Sequence, residues 1–254
     1  MDQKHNPLKA KPLRQAGQSV QEELDKVIDE HFISYGLVIV FIFAYTVSEW
    51  IRWYFHIPPK PVHVTILSLL IISYCLIKLL GIKKQIKALK LGRDGEKVVG
   101  EFLERLRQDG CIIYHDIVGD NFNLDHVVLS TKGIYVIETK TYSKPKNKQA
   151  KVHYDGTHLI IDSIGNKDEI LVQVEAESSW LKEILSESTG KVFNIKPIAV
   201  FPGWFVESTN HNKFWVLNPK GLPKFIQNQK ESISKEDLQL TAYHLSRYIR
   251  TLAA

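Results

Sequence analysis

Cysteine is nearly absent: Cys75 and Cys111 are the only two in 254 residues. That excludes a disulfide framework or a cysteine-built zinc cluster and suits a reducing compartment. No G-x-x-x-x-G-K-[ST] run is present, which argues against ATP-driven chemistry within this chain, and the ten histidines include no H-E-x-x-H. Internal repeats and low-complexity tracts are also missing. The charge imbalance is small, a formal +5, which permits an anionic partner without requiring one. Residues 1–32 hold no long apolar run; the first begins at Ile33 and lacks a small-residue cleavage pattern, so no cleavable signal peptide is expected.

What is present falls into two regimes. Residues 33–48 carry no charge and close in an aromatic belt of Trp50, Trp53, Tyr54 and Phe55 around Glu49 and Arg52. After the break HIPPKP at 56–61, residues 62–82 are apolar again, with only Lys78 charged near the end. Each run approaches the ~20 residues that span a bilayer. The expectation is a transmembrane helical hairpin, with spans at about 33–55 and 62–82; a buried helical hairpin of a soluble protein is the alternative. Lys83, Lys84, Lys87, Lys90 and Arg93 follow the second run, the N-terminal tail carries Lys4, Lys9, Lys11 and Arg14, and the intervening loop holds only Lys60. The asymmetry predicts a cell-membrane protein with both termini cytoplasmic. The organisation expected is a tail at 1–32 ending in a short amphipathic helix, spans within 33–82, a basic linker at 83–91, and an α/β domain at 92–254.

That domain opens on a helix over 92–110, where Val99, Phe102, Leu103 and Leu106 recur at helical spacing. At 100° per residue Glu96 falls beside Leu103 on the apolar face, while Glu101 and Glu104 point away. Strands are expected over 111–117, 124–129, 134–137, 192–202 and 214–217, with a small hairpin about Asp155-Gly156. Helices are expected over 170–185, 219–227 and 235–252. Gln173 sits at the edge of the apolar face of the first of these. The run TYSKPKNKQAK after Lys140 carries Lys144, Lys146, Lys148 and Lys151 and no acid; it is a solvated loop or a set of phosphate contacts.

The informative stretch is NLDHVVLSTKGIYVIETK at 123–140, two short strands about a Gly133 turn. Asp125, Glu138 and Lys140 interrupt otherwise apolar strands. With a two-residue turn at Lys132-Gly133, Asp125 lies opposite Lys140. All three then share one face, with Asp125 and Glu138 as diagonal neighbours about 7–8 Å apart. An odd loop or a bulge would break that parity. Two such carboxylates suit Mg²⁺ (or Mn²⁺), which takes one or two carboxylates and keeps several waters. The plainer alternative is a structural Glu138–Lys140 ion pair with Asp125 in a turn. His126, turned to the opposite face, fits packing or support better than ligation, and His211 is expected in a solvent-exposed loop.

Here the chain resembles the nuclease-related domain family, a branch of the PD-(D/E)xK nuclease superfamily. The resemblance rests on Gly95-Glu96 opening a helix, Asp125-His126 starting a strand, Gly133 in the turn and Ile137-Glu138-Thr139-Lys140 ending the next strand, with Gln173 a weaker match. It implies a restriction-endonuclease-like mixed central sheet flanked by helices, and Mg²⁺-dependent phosphodiester cleavage. DNA is favoured over RNA as substrate. Asp125 and Glu138 would be metal ligands, Lys140 the catalytic lysine and Glu96 the first-helix acid. The alternatives are a non-catalytic module that holds nucleic acid or protein at the membrane, and a passenger domain whose apolar hairpin pairs with another membrane protein.

Overall fold

The computed structural model describes residues 12–56, 61–119, 122–144 and 151–252. Its described residues divide into two units, one within 19–91 and one in which residues 12–18 join those of 92–252. In the first unit, α1 (Gln18–Val27) continues through a π-helical turn at Ile28–Ile33 into α2 (Ser34–Tyr54), and α3 (Pro61–Glu104) begins on a proline, where a missing N–H costs nothing. Two helical stretches, Gln18–Tyr54 and Pro61–Asp109, are long and apolar enough to cross a membrane. Their apolar side chains mostly face outward, Phe41 at 71% and Ile77 at 70% exposure. Polar contacts join the helices: Thr46 Oγ1 lies 2.6 Å from Ser68 Oγ, and Trp50 Nε1 donates to Thr65 Oγ1 at 3.1 Å. The basic stretch 83–91, expected as a linker, is helical within α3.

In the second unit, α3 ends in a 3₁₀ turn at Arg105–Asp109, closed by Gly110 at φ +79°, the left-handed conformation that glycine adopts most cheaply. There follow β1 (Ile112–Val118), β2 (Asn123–Ser130), β3 (Gly133–Thr139), β4 (Lys151–Tyr154), β5 (Leu159–Ile161), β6 (Gly165–Asn166) and α4 (Glu169–Thr189). The chain closes with β7 (Ile195–Val200), β8 (Phe205–Ser208), β9 (Trp215–Leu217), α5 (Leu222–Gln227) and α6 (Lys235–Leu252). The main sheet has the order β1-β2-β3-β7-β9. Its first three strands are an antiparallel meander, and β3, β7 and β9 are parallel. One central sheet was expected; a second, four-stranded sheet of order β6-β5-β4-β8 is also present, because β8 pairs parallel with β4. The protein is therefore a mixed α/β fold with two mixed sheets.

Strand alternation divides the core in two. Val127, Leu129 and Val136 pack with Ile170, Val174 and Leu181 of α4 and Leu245 of α6. Val128, Tyr135 and Ile137 pack with Val99 and Leu103 of α3 and Ile226 of α5. Burial on both faces explains the nearly continuous apolar runs of β2 and β3. Trp204 and Trp215 are buried in these cores and Trp180 packs edge-on against Phe122. His211, expected to be exposed, is half-buried: its ring lies against Phe225 and its carbonyl accepts from Lys196 Nζ.

Two details of the meander place the acids in its strands. The β2–β3 turn consists of Thr131 and Lys132, since Ser130 pairs with Gly133. This corrects the expected Lys132-Gly133 turn by one residue on each strand. Face parity survives, but the register now sets Asp125 opposite Glu138 instead of Lys140. The ladder stops at His126–Ile137, and one step further along β1 the pairing skips Asp116 opposite Asp125. Asp116 has φ +52°, a left-handed conformation that costs a non-glycine residue about 1 kcal/mol or more. The skipped step shifts the alternation: Tyr114 and Ile117 both face the α4 core, as do Val127 and Leu124.

Candidate active site

Where the β2–β3 ladder ends, side chains replace backbone partners. Asp125 Oδ2 accepts the Thr139 N–H at 2.7 Å, so the acid holds the strand end that carries Glu138. Glu138 is 3% exposed, and its Oε1 receives Lys140 Nζ at 2.6 Å and Gln173 Nε2 at 3.0 Å. Gln173 Oε1 in turn accepts from Lys140 Nζ at 2.8 Å. Glu138, Lys140 and Gln173 thus form a closed triangle between the end of β3 and the face of α4. Lys140 is also fixed through its main chain, whose N–H donates to the Val200 carbonyl at 2.9 Å.

Glu96 enters from α3, made possible by the residue before it. A Cβ on Gly95 would stand 2.0 Å from Thr141 Cγ2 and 3.7 Å from Thr139 Cγ2, so only glycine lets this helix approach the end of β3. Glu96 is consequently buried at 7% exposure. Gly95→Ala is expected to lower stability by about 1–2 kcal/mol through forced displacement of Thr141, read as a fall in thermal midpoint. A midpoint equal to wild type would refute the close-approach role.

Charge is badly balanced here. Burial, then Asp116 and Glu138, push the Glu96 carboxyl up to about 7, against an opposing hydrogen bond from the Gly17 N–H and the charge of Lys140. Burial, then Glu138 and Glu96, hold the Asp125 carboxyl well above the usual carboxylate range. Burial works against the Lys140 ammonium, but Glu138, Asp125 and Glu177 outweigh it and raise its pKa. Glu138 Oε2 is buried without a hydrogen-bond partner. Among the described residues no group of three or more His, Cys, Asp or Glu is arranged to hold a metal ion.

The structure brings together Asp125, Glu138, Lys140, Gln173 and Glu96, all singled out from sequence. Lys144 is exposed on the loop beyond, and Lys146 and Lys148 lie outside the described residues. Sequence reasoning missed two acids. Glu177 is 2% exposed and accepts from Gln173 Nε2 at 2.8 Å; burial and then Glu138 push its carboxyl up to about 8. The signal was available, because Glu177 lies three residues after Val174 and four before Leu181, in the middle of the apolar stripe. Asp116, an acid inside the strand IIYHDIV, is 2% exposed. His126 is fully buried, its Nδ1 2.8 Å from His115 Nδ1 across the strands, and His115 Nε2 lies 2.9 Å from Glu104 Oε1.

At the ends of β2 and β3 the domain thus presents two acids and a lysine, with helical acids and an amide closing over them, a carboxylate-rich site. The family model described as nuclease-related domain matches residues 91–202, a span that includes Glu96, Asp125, Glu138, Lys140, Gln173 and Glu177. That segment is therefore similar to the nuclease-related domain family. It is also similar to an uncharacterized protein of Bacillus anthracis, 33% identical over 66 residues, which are 24% of this chain and 31% of that relative. No solved structure matches the chain.

Proposed function

We propose that the protein is a membrane-anchored, cytoplasm-facing nuclease that hydrolyses phosphodiester bonds with Mg²⁺, DNA being the favoured substrate, on a restriction-endonuclease-like arrangement of sheet and helices. The observation that carries this reading is the gathering of buried acids around Glu138 and Lys140 among the described residues. Among the described residues Glu96, Asp125, Glu138 and Glu177 converge on the Lys140 ammonium, the carboxyls of Glu96, Asp125 and Glu177 have raised pKa values, and buried Glu138 Oε2 receives no donor. Burying such acids is costly unless a cation joins them. Asp125 and Glu138 offer hard oxygen donors of the kind Mg²⁺ takes in pairs while keeping its waters, and Mn²⁺ suits the same donors. When bound, the ion supplies polarisation of a phosphoryl oxygen and activation of a water. Lys140, charged and held by Glu138 and Gln173, is placed to stabilise negative charge on a scissile phosphate. Gln173 fixes the Lys140 ammonium and the Glu138 carboxylate relative to each other.

The membrane reading draws on the two outward-facing apolar helices and on the basic residues that follow the second. A further support is that residues 12–18 and 92–252 belong to one unit. A chain that leaves that unit and returns to it crosses a bilayer an even number of times, as two spans with cytoplasmic termini require.

The alternative, a non-catalytic module that holds nucleic acid or protein at the membrane, is favoured by the engagement of both Lys140 contacts within the protein. Titrating Mg²⁺ or Mn²⁺ into the purified full chain separates the two, alongside cleavage of labelled duplex DNA. Cation binding and cleavage, both lost in Asp125→Asn and Glu138→Gln, are expected. DNA binding without either would establish the module instead.

A further inference from the structure

The segment ahead of the first apolar helix lies outside the matched family region, yet it reaches the acids of the site. Arg14 Nε donates to Asp116 Oδ2 at 2.5 Å, with side-chain exposures of 21% and 3%. The Gly17 N–H hydrogen-bonds the Glu96 carboxylate. Ala16 rests on α3 at Gly100, where an added Cβ would stand 2.9 Å from the Ala16 Cβ. Gly17 itself has φ +72°, and a Cβ there would stand 3.0 Å from the Arg93 carbonyl oxygen. Reciprocal bonds between Gln15 and Gln18 close the turn into α1: the Gln15 N–H donates to Gln18 Oε1, and the Gln18 N–H to the Gln15 carbonyl, each at 3.1 Å.

These contacts are matched in shape and in charge. Small residues occur at Ala16, Gly17 and Gly100, where the segment and the helix touch. Asp116 is a buried carboxylate in a strained conformation, a combination that persists only when its surroundings fix it, and a guanidinium satisfies it with charge-assisted hydrogen bonds. Asp116 stands opposite Asp125 at the skipped step of the β1–β2 ladder, between the paired steps His115–His126 and Ile117–Leu124, so a group that fixes Asp116 steadies the Asp125 backbone through those two flanking pairs.

We propose that residues 12–18 are an integral strap of the nuclease-related domain, in which Arg14 and Gly17 act as positioning residues, Arg14 for Asp116 and, through it, the Asp125 strand, and Gly17 for Glu96. The domain then requires a segment that precedes the membrane hairpin in sequence, and a fragment beginning at residue 92 lacks part of its site. The consequence for activity rests on the nuclease reading; the existence of the strap does not.

The test uses the full chain in detergent or nanodiscs and two independent variants. Arg14→Gln removes the charge, and Gly100→Leu fills the seat of Ala16 while leaving Arg14 and Asp116 in place. Hydrogen exchange by mass spectrometry should show residues 13–18 protected in the wild type and exchanging about 10-fold or more faster in both variants, because each breaks one half of the same contact. Cleavage should fall about 10-fold in kcat for Arg14→Gln with KM nearly unchanged, and Arg14→Lys should restore part of it. Wild-type exchange of this segment at the rate of an unstructured peptide would overturn the strap, as would unchanged protection in Gly100→Leu. If the wild type cleaves nothing, the nuclease reading fails and the exchange result still decides the strap.

Discussion

Lys140→Met is expected to reduce Mg²⁺-dependent cleavage by about 10²-fold or more, the loss typical of removing one charged donor aimed at a transition state. Its ammonium sits 2.6 Å from Glu138 Oε1 and 2.8 Å from Gln173 Oε1, so its position is fixed before any substrate arrives. Although burial opposes its charge, Glu138, Asp125 and Glu177 together raise its pKa. In the proposed mechanism it therefore serves as a donor and a charge, not as a base, and the wild-type rate should show no lysine titration at neutral pH. Lys140→Arg should rescue little, because a planar fork cannot occupy the point between a carboxylate and an amide that an ammonium fills. Initial rates on a labelled duplex, with circular dichroism to verify the fold, provide the measurement. Activity within about threefold of wild type in Lys140→Met would remove Lys140 from the mechanism.

The second large effect is on stability. Burial first, and Glu138 next, push the Glu177 carboxyl to about 8 from an ordinary 4.5. A carboxyl with a raised folded-state pKa binds its proton more tightly in the native than in the unfolded chain. Its contribution to stability therefore falls as pH rises from about 4.5 to about 8 and is level outside that window. Glu177→Gln imitates the protonated form, and its amide can both accept from Gln173 and donate to Glu138. It should match the wild type near pH 4.5 and exceed it by on the order of 2–3 kcal/mol at pH 8. The full shift at ~1.4 kcal/mol per unit is an upper bound, since Glu138 and Lys140 respond to the same proton. In thermal melts with chelator present, the gap in midpoint should widen with pH by several degrees. A gap that is constant across pH 5 to 8 would show that the Glu177 carboxyl is not held neutral by its surroundings.

How much of this was legible in the sequence depended on whether the governing interaction was local. Helical spacing was enough to put Glu96 inside and Glu104 outside, and strand parity was enough to unite Asp125 with Glu138, because both follow from backbone repeats alone. Parity even survived a turn placed one residue too late, since the correction moved both strands together. The finer register did not survive, because whether a hairpin turns at Thr131-Lys132 or Lys132-Gly133 depends on the pairing of Ser130 with Gly133. Glu177 obeys the same helical arithmetic as Glu96, one turn along α4 from Gln173. Asp116 and the strap were beyond such reading: they depend on contacts between residues far apart in the chain, Arg14 with Asp116 and Gly17 with Glu96, which no local periodicity encodes. The second sheet was hidden for a similar reason, as β4 and β8 are short strands that find each other only in three dimensions.

The Thr139 N–H that ends on Asp125 Oδ2, where the strand ladder gives out, has a practical meaning for testing the proposed activity by substitution. At that point one side chain stands in for a missing backbone carbonyl, so its charge and its capacity to accept a hydrogen bond serve different ends. Alanine at 125 discards both and frees the very segment that carries Glu138 and Lys140, so a loss of activity in that variant would report on chemistry and architecture without separating them. Asparagine keeps an oxygen for the Thr139 N–H and removes only the charge. Whether an Asp125→Asn chain is silent yet folds as firmly as its parent is the form of the question that yields an interpretable answer.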